Sequence, residues 1–245
     1  MVFVYRGTSV YYTVQGSGKN LLFLHGWGAD STVFFPLIER YKNNYTVVAI
    51  DFPPFGLSGE LAFDYTVQDY KNLVLSLLKR LNIEKTLLIC HSFGGRVAAK
   101  LASESGLVEK AVFCSSAGLP KRKSILRSIK KIRYKLLKKL YRKADSGRLK
   151  KYFSKDYNNL PENMKVTFVN IINEDLTECI KQIKCPSLII WGRKDRETPV
   201  YMARKFNKYI RGSKLKIIGG GHYCFLEDSK NFIANVDEFF LGEIK

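Results

Sequence analysis

Apolar and β-branched residues fall in short runs along the first third of the chain, "VFVYRG", "SVYYTV" and "NLLFLHG", broken by Gly7 and by "GSGKN". Such runs, punctuated by glycine, predict a hairpin leading into a buried strand. The same pattern recurs as "YTVVAID" from Tyr45, "KTLLICH" from Lys85, "EKAVFCS" from Glu109, "PSLIIWG" from Pro186 and "SKLKIIGG" from Ser213. Between several of these, apolar residues return at steps of three and four, which predicts helices over 67–81, 94–103, 200–210 and 229–240. Thr198 followed by Pro199 fits the cap and first residue of the third helix. Apolar strands alternating with helices predict an α/β fold: a mostly parallel sheet with helices on both faces.

One stretch breaks the alternation. Between Leu119 and Lys184 there is no strand run, and Ile125, Ile129, Ile132, Leu136 and Leu140 form a helical apolar stripe beneath a face rich in lysine and arginine. The expected organisation is a core of residues 1–118 and 185–245 with a helical insertion at 119–184. There is no internal repeat. "GSGK" at Gly16 to Lys19 lacks the P-loop's first glycine, since position 13 is Thr, and Asn20 stands where Ser or Thr is needed, which argues against a nucleotide phosphate site.

Charge sharpens this division. The chain has 245 residues and a net charge of +19, and from Lys121 to Lys155 there are 16 lysines and arginines against one acid, Asp145. That segment therefore carries +15, and the remainder is nearly balanced at +4. Five cysteines, Cys90, Cys114, Cys179, Cys185 and Cys224, show no C-x-x-C spacing, and an odd number fits reduced, intracellular thiols. The amino-terminal residues lack the pattern of a secretory signal, and no run approaches the roughly 20 apolar residues that span a bilayer. A cytoplasmic protein is expected.

Candidate chemistry begins at "ICHSFGG", residues 89–95, where an apolar run gives way to a helical one. Ser92 with Gly94 and Gly95 fits a nucleophile elbow, a sharp strand-to-helix turn that exposes the hydroxyl. An ordinary helix cap fits the local sequence equally well. A serine hydroxyl becomes a nucleophile only beside an imidazole whose tautomer a carboxylate fixes. Of the three histidines, His91 is expected to point to the other side of the elbow and His25 precedes a glycine-rich turn. His222, in "GGGHYCFLED" after the last strand run, is free to sit over the sheet edge or simply to cap its loop. Asp195, in "IIWGRKDRETP", emerges after a buried strand, as a triad acid or as a surface partner of the adjacent basic residues. The joint occurrence of Ser, Asp and His in this chain order, each just after a strand, favours chemistry. Backbone N–H groups of Phe93, the residue after Ser92, and of Trp27, in "HGWG", are the expected oxyanion donors.

At this point the sequence resembles the α/β-hydrolase superfamily, through "HGWG" at 25–28, "DFPPFGLSG" at 51–59, "CHSFGG" at 90–95, "WGRKD" at 191–195 and "GGGHYCFLED" at 219–228. The resemblance implies the α/β-hydrolase fold, with Ser92 as nucleophile, His222 as general base and then acid, Asp195 as orienting acid, and Trp27 and Phe93 as oxyanion donors. It places residues 119–184 where this superfamily inserts a cap over the active site. Two positions depart from the pattern. Pro54 replaces a glycine of the D-x-P-G-x-G-x-S loop, and Cys90 replaces the first glycine of the elbow, where modest strain is expected. Cys90 is also the alternative nucleophile, although it lies two residues early.

A serine at the elbow implies an acyl-enzyme route and a carboxylic ester hydrolase. Thioester, amide and carbon–carbon cleavage use the same machinery. The basic segment reads as a solvated helix face, as a docking site for an acidic carrier protein like that of the pimeloyl-carrier methyl ester esterases, or as a contact with anionic lipid for a monoacylglycerol or lysophospholipid hydrolase. A non-catalytic binding protein is the competing class. Nucleic acid is not expected as a partner, because "RKSILRSIKKIRYKLLKKLYRK" holds two tyrosines and no recognised motif. No cofactor is expected, and scattered histidines and cysteines make no metal pattern.

Overall fold

In the computed structural model, which describes residues 1–121 and 155–241, eight strands form one sheet. They are Val2–Tyr5 (β1), Thr8–Gln15 (β2), Lys19–Leu24 (β3), Tyr45–Ile50 (β4), Thr86–His91 (β5), Val108–Cys114 (β6), Ser187–Gly192 (β7) and Lys214–Ile218 (β8). Their order is β1-β2-β4-β3-β5-β6-β7-β8. The first two form the expected hairpin and β2 runs antiparallel to β4, whereas every pairing from β4 to β8 is parallel. Parallel strands need covering on both faces. The sequence supplies this by alternation: Leu22, Leu24, Leu88 and Cys90 join one apolar cluster, and Leu21, Phe23, Leu87 and Ile89 the other.

The helices divide accordingly. Val67–Arg80 (α2), Phe93–Glu104 (α3) and Tyr201–Tyr209 (α7) feed the first cluster, and Phe35–Tyr41 (α1), Cys224–Glu227 (α8) and Ser229–Leu241 (α9) feed the second. A capping box starts α2, with Thr66 N–H donating to Asp69 Oδ2 at 2.9 Å and Asp69 N–H donating to Thr66 Oγ1 at 3.3 Å. The short α1 was absent from the periodicity because it spans only seven residues. The expected cap at Thr198 is corrected: α7 begins at Tyr201, and Thr198 turns its hydroxyl inward.

Between β6 and β7 the described residues form helices Lys155–Asn159 (α4), Glu162–Asn173 (α5) and Thr177–Lys181 (α6), with no strand among them. Residues 122–154, which hold the stripe from Ile125 to Leu140 and most of the basic segment, lie outside the described residues. Polar anchors tie α5 to the core. Tyr65 N–H donates to the buried Thr167 hydroxyl at 2.9 Å, and Arg96 donates to the Glu174 carbonyl at 2.8 Å. The Lys100 ammonium lies 3.0 Å from the Glu174 carboxylate. Because Arg96 and Lys100 belong to α3, the helix that follows Ser92 also holds the far end of α5.

Two glycines explain why the strand ends can crowd together. A Cβ at Gly94 would fall 2.1 Å from the Leu24 carbonyl oxygen, so only glycine lets α3 start against the end of β3. At Gly192 it would fall 1.9 Å from the Gly221 carbonyl, where the loop bearing His222 crosses the end of β7. Both obstacles are backbone, which has no rotamer to give. Gly94→Ala is expected to cost about 3 kcal/mol or more, measured as loss of denaturation free energy.

Candidate active site

The carboxyl ends of the parallel strands lie level: Leu24 pairs with Ile50 and with Cys90, and His91 with Cys114. Residues just past these ends therefore gather along one rim, where α/β sheets hold their ligands. Ser92 leaves β5 at φ 49° and ψ −112°, a left-handed conformation costly for a residue with a side chain. It stands at the cap position of α3, yet its side chain makes no capping hydrogen bond. The hydroxyl goes elsewhere: Oγ lies 2.9 Å from His222 Nε2.

His222 follows β8, and its Nδ1 lies 3.0 Å from Asp195 Oδ2. A carboxylate there accepts, so Nδ1 carries the proton and Nε2 is left to accept from Ser92. Asp195 is itself held on four sides. Its Oδ1 accepts from the N–H groups of Glu197 and Thr198, both at 2.9 Å, and its Oδ2 accepts from the Thr198 hydroxyl at 2.7 Å as well as from His222. Burial alone would raise the carboxyl, but the hydrogen bond and charge of His222, with the Thr198 donors, outweigh it and hold Asp195 below the usual carboxylate range. The three residues singled out in the sequence thus meet in one hydrogen-bonded chain, and proton transfer from Oγ to Nε2 needs no further approach.

The remaining histidines are structural in contact. His25 is fully buried, receives the Phe52 N–H on Nε2 at 2.7 Å and reaches the Gly26 carbonyl through Nδ1 at 2.7 Å, which fixes the start of the "HGWG" loop. The His91 ring does not meet the Ser92 hydroxyl; its Nε2 lies 2.9 Å from the His222 carbonyl and the two rings are 4.7 Å apart. It therefore braces the backbone of His222 from behind. Its Nδ1 is buried with no hydrogen-bond partner among the described residues, and burial, helped by neighbouring His222, pushes the imidazole down to about 3.

A histidine held neutral in the fold but free to protonate when unfolded contributes stability above its unfolded value near 6.5, and loses it as pH falls towards 3. Unfolding free energy is expected to fall between pH 6 and 4 with a contribution of about 1.4 kcal/mol per pH unit from His91. Denaturant titrations of wild type and His91→Gln across this range read it as a flatter slope in the variant.

Trp27 and Phe93 flank the serine. A Cβ on Gly26 would lie 3.2 Å from Ser92 Cβ, so the backbone leading into Trp27 runs against the serine. Phe93 opens α3, where the helix's unpaired N–H groups and positive dipole end gather. The Trp27 ring packs on Phe55 at 4.9 Å, Phe168 at 5.4 Å and Phe93 at 5.6 Å, forming an apolar wall to which α5 contributes Phe168. The motif "DFPPFGLSG" works at one remove. Asp51 accepts from Ser31 N–H at 2.8 Å and Leu57 N–H at 2.9 Å, which binds two rim loops together.

Cys90 is fully buried, with Sγ 3.4 Å from the Val112 carbonyl and 3.7 Å from the Ser116 hydroxyl. Burial pushes its thiol up to about 12, so it stays a thiol at neutral pH, and it has no base beside it. All five cysteines are free. Among the described residues no cluster of three His, Cys, Asp or Glu side chains suits a metal ion, and no helix is long and apolar enough to cross a membrane.

The sheet order, the turn at Ser92 and the level rim define an α/β-hydrolase fold. The chain belongs to the alpha/beta hydrolase family, whose model matches residues 21–235. Among curated proteins it is 26% identical to an uncharacterized hydrolase of Bacillus subtilis, over 95% of this chain and 94% of that one. It is likewise 26% identical to the pimeloyl-[acyl-carrier protein] methyl ester esterase of Legionella pneumophila, over 94% of this chain and 99% of that one. Among solved structures, a hydrolase from Pseudomonas aeruginosa superposes with a TM-score of 0.79 at 17% identity, covering 98% of this chain and 97% of that one. The enol-lactonase of Burkholderia xenovorans does so with a TM-score of 0.77 at 19% identity, covering 98% of this chain and all of the other.

Proposed function

We propose that the protein hydrolyses a carboxylic ester, or a thioester, through an acyl-enzyme on Ser92. The observation that carries the proposal is the continuous chain from Asp195 through His222 to Ser92, with contacts of 3.0 and 2.9 Å. Ser92 Oγ attacks the carbonyl carbon while His222 Nε2 takes its proton, and Asp195 holds the imidazole in the correct tautomer and offsets its positive charge. The N–H groups of Trp27 and Phe93 receive the developing oxyanion. His222 then protonates the leaving group, and water repeats the sequence on the acyl-enzyme. The aromatic wall of Trp27, Phe55 and Phe168 favours an apolar group beside the ester.

In this reading residues 119–184 form a cap over the rim. The basic segment within it, together with the esterase relative whose substrate is named as carrier-bound, supports an acyl group delivered on an acidic carrier protein. A panel of p-nitrophenyl esters of increasing acyl length tests the chemistry; no turnover at any length would contradict it. Carrier docking is expected to weaken steeply between 50 and 500 mM salt, read by pull-down with an acyl carrier protein. Flotation with anionic vesicles that survives while carrier capture fails would redirect the assignment to a lipid ester.

A further inference from the structure

Glu197 lies two residues beyond Asp195, and its own N–H donates to Asp195 Oδ1 at 2.9 Å. The turn this fixes carries the Glu197 carboxylate back over the imidazole. Its Oε2 lies 3.3 Å from His222 Nε2, the same nitrogen that meets Ser92 Oγ at 2.9 Å. The neighbouring Tyr223 phenol is raised by burial and also by the charge of Glu197, so the carboxylate faces this corner of the rim. Orientation of the imidazole does not require it, because Asp195 already serves Nδ1.

The side chain of Glu197 is 70% exposed, on the open side of Nε2. Departure of the alcohol leaves that side to water. A water molecule has two O–H bonds; one must point at Nε2 to give up its proton, and the other needs an acceptor. We propose that Glu197 is a further catalytic residue, accepting the second O–H of the hydrolytic water and so aiming its lone pair at the acyl-enzyme carbonyl. This rests on the acyl-enzyme reading above. A water donating bonds of about 2.8 Å to both acceptors needs them about 4.4 Å apart, so the carboxylate withdraws by roughly 1 Å, well within the freedom of an exposed side chain.

The step balances. The water oxygen bonds to the acyl carbon as one proton passes to Nε2. The tetrahedral intermediate then collapses with cleavage of the carbon–Oγ bond, and Nε2 returns that proton to Ser92 Oγ. The second hydrogen leaves on the carboxylic acid, which ionises in solvent. Glu197 accepts a hydrogen bond throughout and ends unchanged.

Methanol provides the test, because it has a single O–H and cannot donate to Nε2 and Glu197 together. With p-nitrophenyl butyrate in buffer containing methanol, the acyl-enzyme partitions to butyrate or methyl butyrate, and their ratio is set after acylation is complete. Glu197→Ala is expected to lower the hydrolysis-to-methanolysis ratio about tenfold, the scale of one charge-assisted hydrogen bond. Glu197→Gln keeps an acceptor oxygen and is expected to retain most of the wild-type ratio. Equal ratios in wild type and Glu197→Ala would overturn the inference while leaving the acyl-enzyme reading intact. Failure of wild type to release nitrophenolate at all would overturn both.

Discussion

Replacing Ser92 with alanine is expected to lower turnover of an activated ester by at least about 10⁴-fold, with stability changed by no more than about 1 kcal/mol. The two halves of that expectation have separate physical origins. The hydroxyl is the only group removed, and among the described residues it hydrogen-bonds to His222 Nε2. Alanine meets the same penalty as serine at φ 49°, so the elbow keeps its shape. What remains is whatever acceleration the proposed oxyanion donors and the aromatic wall give to direct attack by water. Steady-state kinetics with p-nitrophenyl butyrate, beside a denaturant melt of the same preparation, checks both halves. A variant that keeps more than a tenth of the activity would remove Ser92 from the mechanism.

Asp195→Asn is expected to cost about 10³- to 10⁴-fold in turnover, for a different reason. The amide oxygen can still accept from the N–H groups of Glu197 and Thr198, which hold Oδ1 at 2.9 Å each. Its NH₂ then faces His222 Nδ1 where a carboxylate oxygen had stood. Two donors cannot meet, so the imidazole proton moves to Nε2, and Ser92 loses its acceptor. The Thr198 hydroxyl, 2.7 Å from the same oxygen, is left to donate to the Ser115 carbonyl at 3.0 Å. The native carboxyl is held below its ordinary range, so its stabilising contribution is present above the unfolded value of about 3.9 and is lost only as pH falls through the lower folded value. Activity of wild type near pH 5 is therefore not limited by Asp195. A pH–rate profile with a break assigned to Asp195 in that region would contradict the network described.

Much of this was legible in the residues. The strand runs mark β3 to β7 because the carboxyl halves of these strands are buried and apolar, while β8, with Lys214 and Lys216, shows through Leu215, Ile217 and Ile218. Ser92, Asp195 and His222, which meet in one hydrogen-bonded chain, stand out in the sequence because each comes just past such a run. Other parts carry no pattern. Thr198 was expected to cap a helix, and its hydroxyl meets the Ser115 carbonyl as well as Asp195 because β6 and β7 run side by side. His91 reaches the His222 carbonyl across 131 residues of sequence, a contact no local rule encodes. Glu197 and Phe168 share that character: the first reaches the rim through a two-residue turn, the second through a helix whose buried face looks like any core face. The apolar stripe from Ile125 to Leu140 and the basic face above it are a reading of the sequence, outside the described residues.

The central claim is that the hydroxyl at Ser92 is chemically activated by its neighbours, and fluorophosphonate labelling tests it most directly. Intact mass followed by peptide mapping is expected to find one rapid adduct on wild type, at Ser92, formed at least about 100-fold more slowly in His222→Ala. No adduct on wild type, an adduct on another residue, or equal rates in the two proteins would contradict the account.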